Sequence, residues 1–106
     1  MTGSATKRTG RRKAADAAAS HALPAELTIY RVAELRQDLL AAVARGVRCY
    51  DLSAVTECDS AGLQLLLSLR RSVQAAGGTC RFEPVPDPVR SIAALFDVES
   101  ILCSKA

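Results

Sequence analysis

The chain contains no tryptophan, two phenylalanines, two tyrosines and one histidine in 106 residues. A core poor in large rings must be built from Leu, Val, Ile and Ala. The length suits one domain with a real hydrophobic core. The single histidine, His21, stands at the edge of the N-terminal region and receives no role. No histidine follows it, so a Ser–His–Asp assembly has no plausible base. No G-x-S-x-G and no Walker loop occur, and Gly77-Gly78 reads as a helix terminator rather than a phosphate cradle. Cys49, Cys58, Cys80 and Cys103 include no close pair and no C-x-x-C, which leaves a zinc site unsupported. Cys49 and Cys80 lie in strand-like runs and are expected to pack as small apolar residues. Cysteines scattered in this way suit a reducing cytoplasm. No apolar run reaches the ~20 residues that span a bilayer. The N-terminus also lacks the apolar centre of a secretory signal. It is rich in arginine and poor in acid, as transit peptides are, but has no amphipathic apolar face.

The net charge of +3 is unevenly spread. Residues 1–20 carry Lys7, Arg8, Arg11, Arg12 and Lys13 against Asp16, a sum of +4. The remaining residues carry nine basic and ten acidic side chains, a sum of −1. A nearly neutral body gives little support to a specific nucleic-acid surface. The tail could touch anionic lipid or RNA weakly. Its lack of bulky apolar residues predicts a solvated, disordered extension over 1–20 and a folded domain over 21–106.

Ala22 to Ile29 reads as a short extended segment, and Pro24, which has no N–H, places it at an edge or makes it irregular. Val32 to Arg45 is helical, with Val32, Leu35, Leu39, Ala42 and Val43 on one face and Gly46 as the stop. Glu34 and Asp38 belong to its solvated side. Val47 and Cys49 alternate with Arg48 and Tyr50, as in a strand with one buried face. Thr79 to Glu83 alternates again. Asp87-Pro88 opens a helix with Asp as cap and Pro at the first helical position, and Val89, Ile92, Ala93 and Phe96 form its buried stripe. Ile101-Leu102-Cys103 is left as a short strand or packed tail. The order β-α-β-α-β-α, with three helices, predicts an α/β fold with a single, largely parallel sheet layer.

The organising stretch is Cys49 to Ala76. It starts as a strand, turns through Ser53 to Cys58, and enters a long helix at Asp59-Ser60, both preferred capping residues. At 100° per residue, Gly62, Leu65, Leu66, Leu69, Val73 and Ala76 share a sector of about 100°, the expected core face. Leu63 and Leu67 fall outside it, near Ser60, Gln64 and Arg71. Two readings follow. Either Ser60 merely caps the helix and the leucines fill a second packing contact, or a displayed hydroxyl, two exposed leucines and an arginine form a docking surface. Asp51, Glu57 and Asp59 cluster in the loop but lack a glycine-punctuated calcium pattern. A binding module without cofactor or metal is favoured over an enzyme.

Asp51-Leu52-Ser53, a short loop, and Asp59-Ser60-Ala61-Gly62-Leu63 resemble the STAS domain, named for sulfate transporters and anti-sigma factor antagonists. Leu27-Thr28-Ile29-Tyr30 followed by Ala33-Glu34-Leu35 is similar to the family's first strand and helix entry, and the resemblance runs from about Leu23 to Leu102. It implies a STAS fold and a bacterial signalling role. In the antagonists, the serine at the helix start is phosphorylated by a GHKL-type kinase that is also the anti-sigma factor. Only the unphosphorylated form binds that kinase. The resemblance thus implies Ser60 as phosphoacceptor, with Asp59 before it; together with the outward face of the helix, this makes Asp59, Leu63, Gln64, Leu67 and Arg71 the expected partner-binding residues. Ala61 replaces a second serine common in sporulation-type antagonists, and Tyr30-Arg31 replaces a small polar helix cap. The same motif is typical of the STAS subunit that binds the ATPase of phospholipid-transport ABC systems, and of stand-alone STAS proteins of chemotaxis and histidine-kinase systems. A nucleotide- or lipid-binding sensor is a further alternative.

Overall fold

A computed structural model describes residues 20–103. The disordered tail expected over 1–20 therefore falls outside the described residues, apart from Ser20, which opens the first strand. Nine elements follow one another: β1 (Ser20–Ala22), β2 (Glu26–Leu27), α1 (Val32–Ala44), β3 (Cys49–Asp51), β4 (Glu57–Cys58), α2 (Ser60–Ala75), β5 (Arg81–Phe82), α3 (Asp87–Leu95) and α4 (Glu99–Cys103). The fold is α/β, and every strand pairing among the described residues is parallel. Two features differ from expectation. Residues 101–103 close a fourth helix rather than a strand, and the sheet layer is interrupted.

The interruption has a local cause. β1, β3 and β5 pair in the order β1-β3-β5, while β2 and β4 form a separate pair. Ser20 sits opposite Cys49, and Glu26 sits opposite Glu57, so the offset grows from 29 to 31 residues. The strand after β3 thus carries two extra residues. They are accommodated in the turn closed by Val55 N–H on the Leu52 carbonyl, 3.0 Å. On the facing chain Pro24 supplies no N–H to the ladder. Leu23 N–H still reaches the Asp51 carbonyl at 3.0 Å, and the N–H groups of Thr56 and Glu57 both take the Ala25 carbonyl, bridging the gap. β1 is an edge of its sheet, and Pro24 lies in the gap between β1 and β2.

The core joins Leu23, Leu27, Leu35, Leu39, Ala42, Val47, Tyr50, Leu52, Leu66, Val73, Phe82 and Val89, with the other buried apolar residues around them. Tyr50 departs from the alternation that placed it opposite Val47. It is fully buried, its hydroxyl donates to the Val47 carbonyl at 2.9 Å, and its ring meets His21 and Phe82. That hydrogen bond removes the usual cost of burying a phenol, and desolvation pushes its pKa up to about 12. Burial likewise pushes the thiols of Cys80 to about 12 and Cys58 to about 11, so both stay protonated and unreactive near neutrality.

The face of α2 is rotated from the expected one. Its buried residues are Gly62, Leu63, Leu66, Leu69 and Val73. Leu63, expected outward, is 3% exposed, whereas Leu65, expected inward, is half-buried and Ala76 is exposed. The buried sector is centred about 50° further round the helix at 100° per residue. Neighbours on two sides explain the rotation. α1 packs along one flank, and α3 packs on the other while also covering β4. Leu65 then lines a small cavity against Arg36, Leu40 and Val43 of α1. In α3 the cap position is Pro86 and Asp87 is already helical. Phe96, expected in the buried stripe, lies past the last helical residue and is 53% exposed, because Asp97 at φ 60° turns the chain there.

Candidate functional site

The amino end of α2 is built by Asp59. Its backbone is extended at φ −105° and ψ −173°, and Oδ1 accepts the Gly62 N–H at 3.0 Å, which makes it the helix N-cap. Oδ2 accepts the N–H of Ile29, also at 3.0 Å. Asp59 N–H in turn donates to the Leu27 carbonyl at 3.1 Å. One residue therefore ties α2 to the end of β2 and the loop behind it. The Ile29 hydrogen bond, then that of Gly62, holds the carboxyl below its ordinary pKa, so Asp59 is ionised near neutrality. It was expected as a partner contact, but its carboxylate is occupied within the fold.

Gly62 is required by the same junction. A methyl group at its Cα would overlap the Leu27 carbonyl oxygen and stand 2.7 Å from the carbonyl carbon and 2.9 Å from Leu27 Cβ. The helix start can lie on the β2 backbone only because that side chain is missing.

With Asp59 as the cap, the Ser60 hydroxyl has no structural task. Ser60 is exposed, and among the described residues no hydrogen bond engages its side chain. The reading in which Ser60 serves only as a cap is thereby replaced. Ser60, Gln64, Leu67 and Arg71 follow the i, i+4, i+7, i+11 spacing and so form one stripe along α2. Ser60, Gln64 and Arg71 are exposed and Leu67 is half-buried against the core. Leu63 is absent from this stripe; it is a core residue and cannot be presented without unpacking the helix.

Two residues not anticipated at the site extend it. Ile29 is 61% and Tyr30 90% exposed, and the Ile29–Asp59 hydrogen bond places this loop beside the start of α2. The signal was present in the sequence: Tyr30-Arg31 occupies the place of a small polar cap, and Arg31 at the cap of α1 makes no side-chain capping bond. In the same loop Thr28 Oγ1 and Arg31 Nε are removed from solvent without partners.

No group of three or more His, Cys, Asp or Glu among the described residues could hold a metal ion. No described helix is long and apolar enough to cross a membrane. The outer stripe of α2 and the adjoining loop thus display a hydroxyl, an amide and an arginine beside an apolar rim.

The family described as Mlab, STAS domain, matches residues 12–103. That is nearly the whole chain, and the protein belongs to the STAS domain family. Its members are generally non-catalytic binding modules, and a protein–protein interaction role follows for this class. No curated protein matches the chain.

Proposed function

We propose that the protein is a non-catalytic, phospho-switchable docking module of the anti-sigma factor antagonist type. The partner is a GHKL-type kinase that doubles as anti-sigma factor. It supplies ATP and the catalytic base, the Ser60 oxygen attacks the γ-phosphorus, and ADP leaves. The observation that carries this reading is the Ser60 hydroxyl, exposed and unbonded at the head of α2 while Asp59 does the capping. A phosphate adds about −1.5 to −2 charges. Asp59 already fills the positive end of the helix, so added charge beside it would project toward the partner. There it would oppose desolvation of Ile29, Tyr30 and Leu67. Gln64 and Arg71 extend the contact down the helix.

Incubation with the cognate kinase and ATP, followed by mass spectrometry, should place phosphate on Ser60. Ser60→Ala should bind the partner constitutively with unchanged folding stability, and Ser60→Asp should bind weakly. A second reading is favoured by the family description, Mlab: an accessory subunit of the ATPase of a phospholipid-transport ABC complex, with Ser60 as a contact only. Absence of phosphate at Ser60, with Ser60→Ala and Ser60→Asp binding equally, would reject the switch and support that reading.

A further inference from the structure

A cleft of about 290 Å³ opens between β1 and the amino half of α1. No residue of the α2 docking stripe lines it. Its origin is local. β1 is an edge of its sheet, and no described strand pairs with its outer side. Pro24, which also lines the cleft, has no N–H with which to extend a ladder there. The floor is apolar. Leu23, Leu35 and Leu39 supply it, and they are only 3%, 5% and 2% exposed.

The walls are polar. β1 contributes His21, whose ring stands edge-on to Tyr50. The start of α1 contributes Arg31, Glu34 and Asp38, one positive side chain against two negative ones. Arg31 is already engaged: it meets Glu34 Oε2 at 3.0 Å and Glu26 at 3.7 Å. Glu34 Oε1 and both oxygens of Asp38 have no partner among the described residues. Glu34 and Asp38 are four residues apart, so they share one face of α1 with Cβ atoms about 5–6 Å apart. Like charges at that spacing repel and weaken a helix. A solvated helix face would account for two acids, but not for their bordering a recess floored by three core leucines. A metal ion does not suit them, since no three ligating side chains converge among the described residues.

We propose that this cleft binds a small organic cation: a primary amine on an apolar body of about ten non-hydrogen atoms. The size follows from the volume, since a water molecule takes up ~30 Å³ of liquid and the cleft has room for about ten of them. An ammonium has three N–H donors. One reaches Glu34 Oε1, one reaches Asp38, and one stays with water. The apolar body lies on Leu23, Leu35 and Leu39 and displaces water that those side chains cannot bond. An anion would face two carboxylates and is disfavoured. An apolar recess with a few convergent polar groups is the usual form of a small-molecule site. The proposal is independent of the Ser60 switch, because Ser60 lies on α2 and lines no part of the cleft.

The test is an NMR titration of the ¹⁵N-labelled full chain with three probes of one size: 2-phenylethylamine, 2-phenylethanol and 3-phenylpropanoate. They are cationic, neutral and anionic in turn. A ligand this small binds an open cleft in the millimolar range, so concentrations up to about 10 mM are needed. The amine should give saturable amide shifts at His21, Leu23, Glu34 and Asp38. The alcohol should bind more weakly and the acid not at all. Asp38→Asn should weaken the amine about two- to five-fold, as for a solvent-exposed ion pair, and added salt should weaken it too. Glu57→Gln, the same charge change on β4, should leave binding unaltered, as should Ser60→Asp, so failure here is separable from failure of the switch. Thermal melts of each variant confirm folding. No saturable shift at the cleft, equal binding of the alcohol and the amine, or an equal loss with Glu57→Gln would each overturn the proposal.

Discussion

Replacing Gly62 by alanine should destabilise the protein, although alanine is the best helix former and glycine among the worst. In an ordinary helix interior the exchange gains about 1 kcal/mol. Here the new methyl would overlap the Leu27 carbonyl oxygen and crowd its carbon at 2.7 Å, against an optimum of about 3.5–4.0 Å. α2 must then retreat by roughly 1 Å. Overpacking of this kind costs about 1–3 kcal/mol, and the upper part applies because the obstructing atoms are backbone. The retreat also stretches the Asp59-to-Leu27 and Ile29-to-Asp59 hydrogen bonds, now 3.1 and 3.0 Å, each worth about 1 kcal/mol. Net destabilisation should be about 2–4 kcal/mol after the propensity gain. At ~4–8 °C per kcal/mol for a domain of this size, the thermal midpoint should fall by roughly 10–25 °C. Circular dichroism melts of the two proteins decide the matter. A Gly62→Ala protein as stable as the parent, or more so, would show that the helix start does not rest on β2.

Three further outcomes are expected. Asp59 has a folded pKa below its unfolded value, so its contribution is present above the unfolded value near 3.9 and is lost as pH falls through the folded one; Asp59→Asn should flatten urea midpoints across that acid range, and an unchanged pH profile would refute this. Leu63→Ala should cost about 2–5 kcal/mol, as for a closed core site, while Leu67→Ala costs less, measured by urea denaturation; equal, small losses would mean Leu63 is not buried. Asp97, at φ 60°, occupies a position glycine holds without strain, so Asp97→Gly should stabilise by up to about 1 kcal/mol, read as a raised thermal midpoint.

The alternation of elements was legible because each carried its own punctuation. Gly46 and Gly77 end α1 and α2 with φ of 88° and 92°, and Asp59 caps α2 in the place its side chain suits. Periodicity located the apolar side of α2 but missed its centre, because the sequence of one helix does not reveal how many neighbours will cover it. Leu63 is buried on a helix that packs against both α1 and α3, the second of them well downstream in the chain. The same limit hid Tyr50, whose burial depends on a carbonyl accepting its hydroxyl. At the start of α2, Asp59 and Ser60 were both legible as capping residues, but which of them caps was not: only the geometry shows that Asp59 does. Ile29 was read as the end of an extended segment, although a hydrogen bond across 30 residues ties it to Asp59 at the head of α2.

The parallel pairing has a consequence for how the chain acquires its structure. Ser20 meets Cys49, Glu26 meets Glu57 and Cys49 meets Arg81, so no described strand pairs with a partner fewer than 29 residues away. There is no hairpin among them to form early and template the rest. Closure entropy must be met over long loops before any of these ladders is rewarded. α1 and α2, both local, are the elements able to form first, and the central sheet waits for β5. On the ribosome, β3 is made with only one of its two neighbours present and stays half-paired while some thirty more residues emerge. Cys49, Tyr50 and the carbonyls of that strand are then exposed to any other extended chain. The time spent in that state, rather than the stability of the finished domain, sets the risk of aggregation during synthesis.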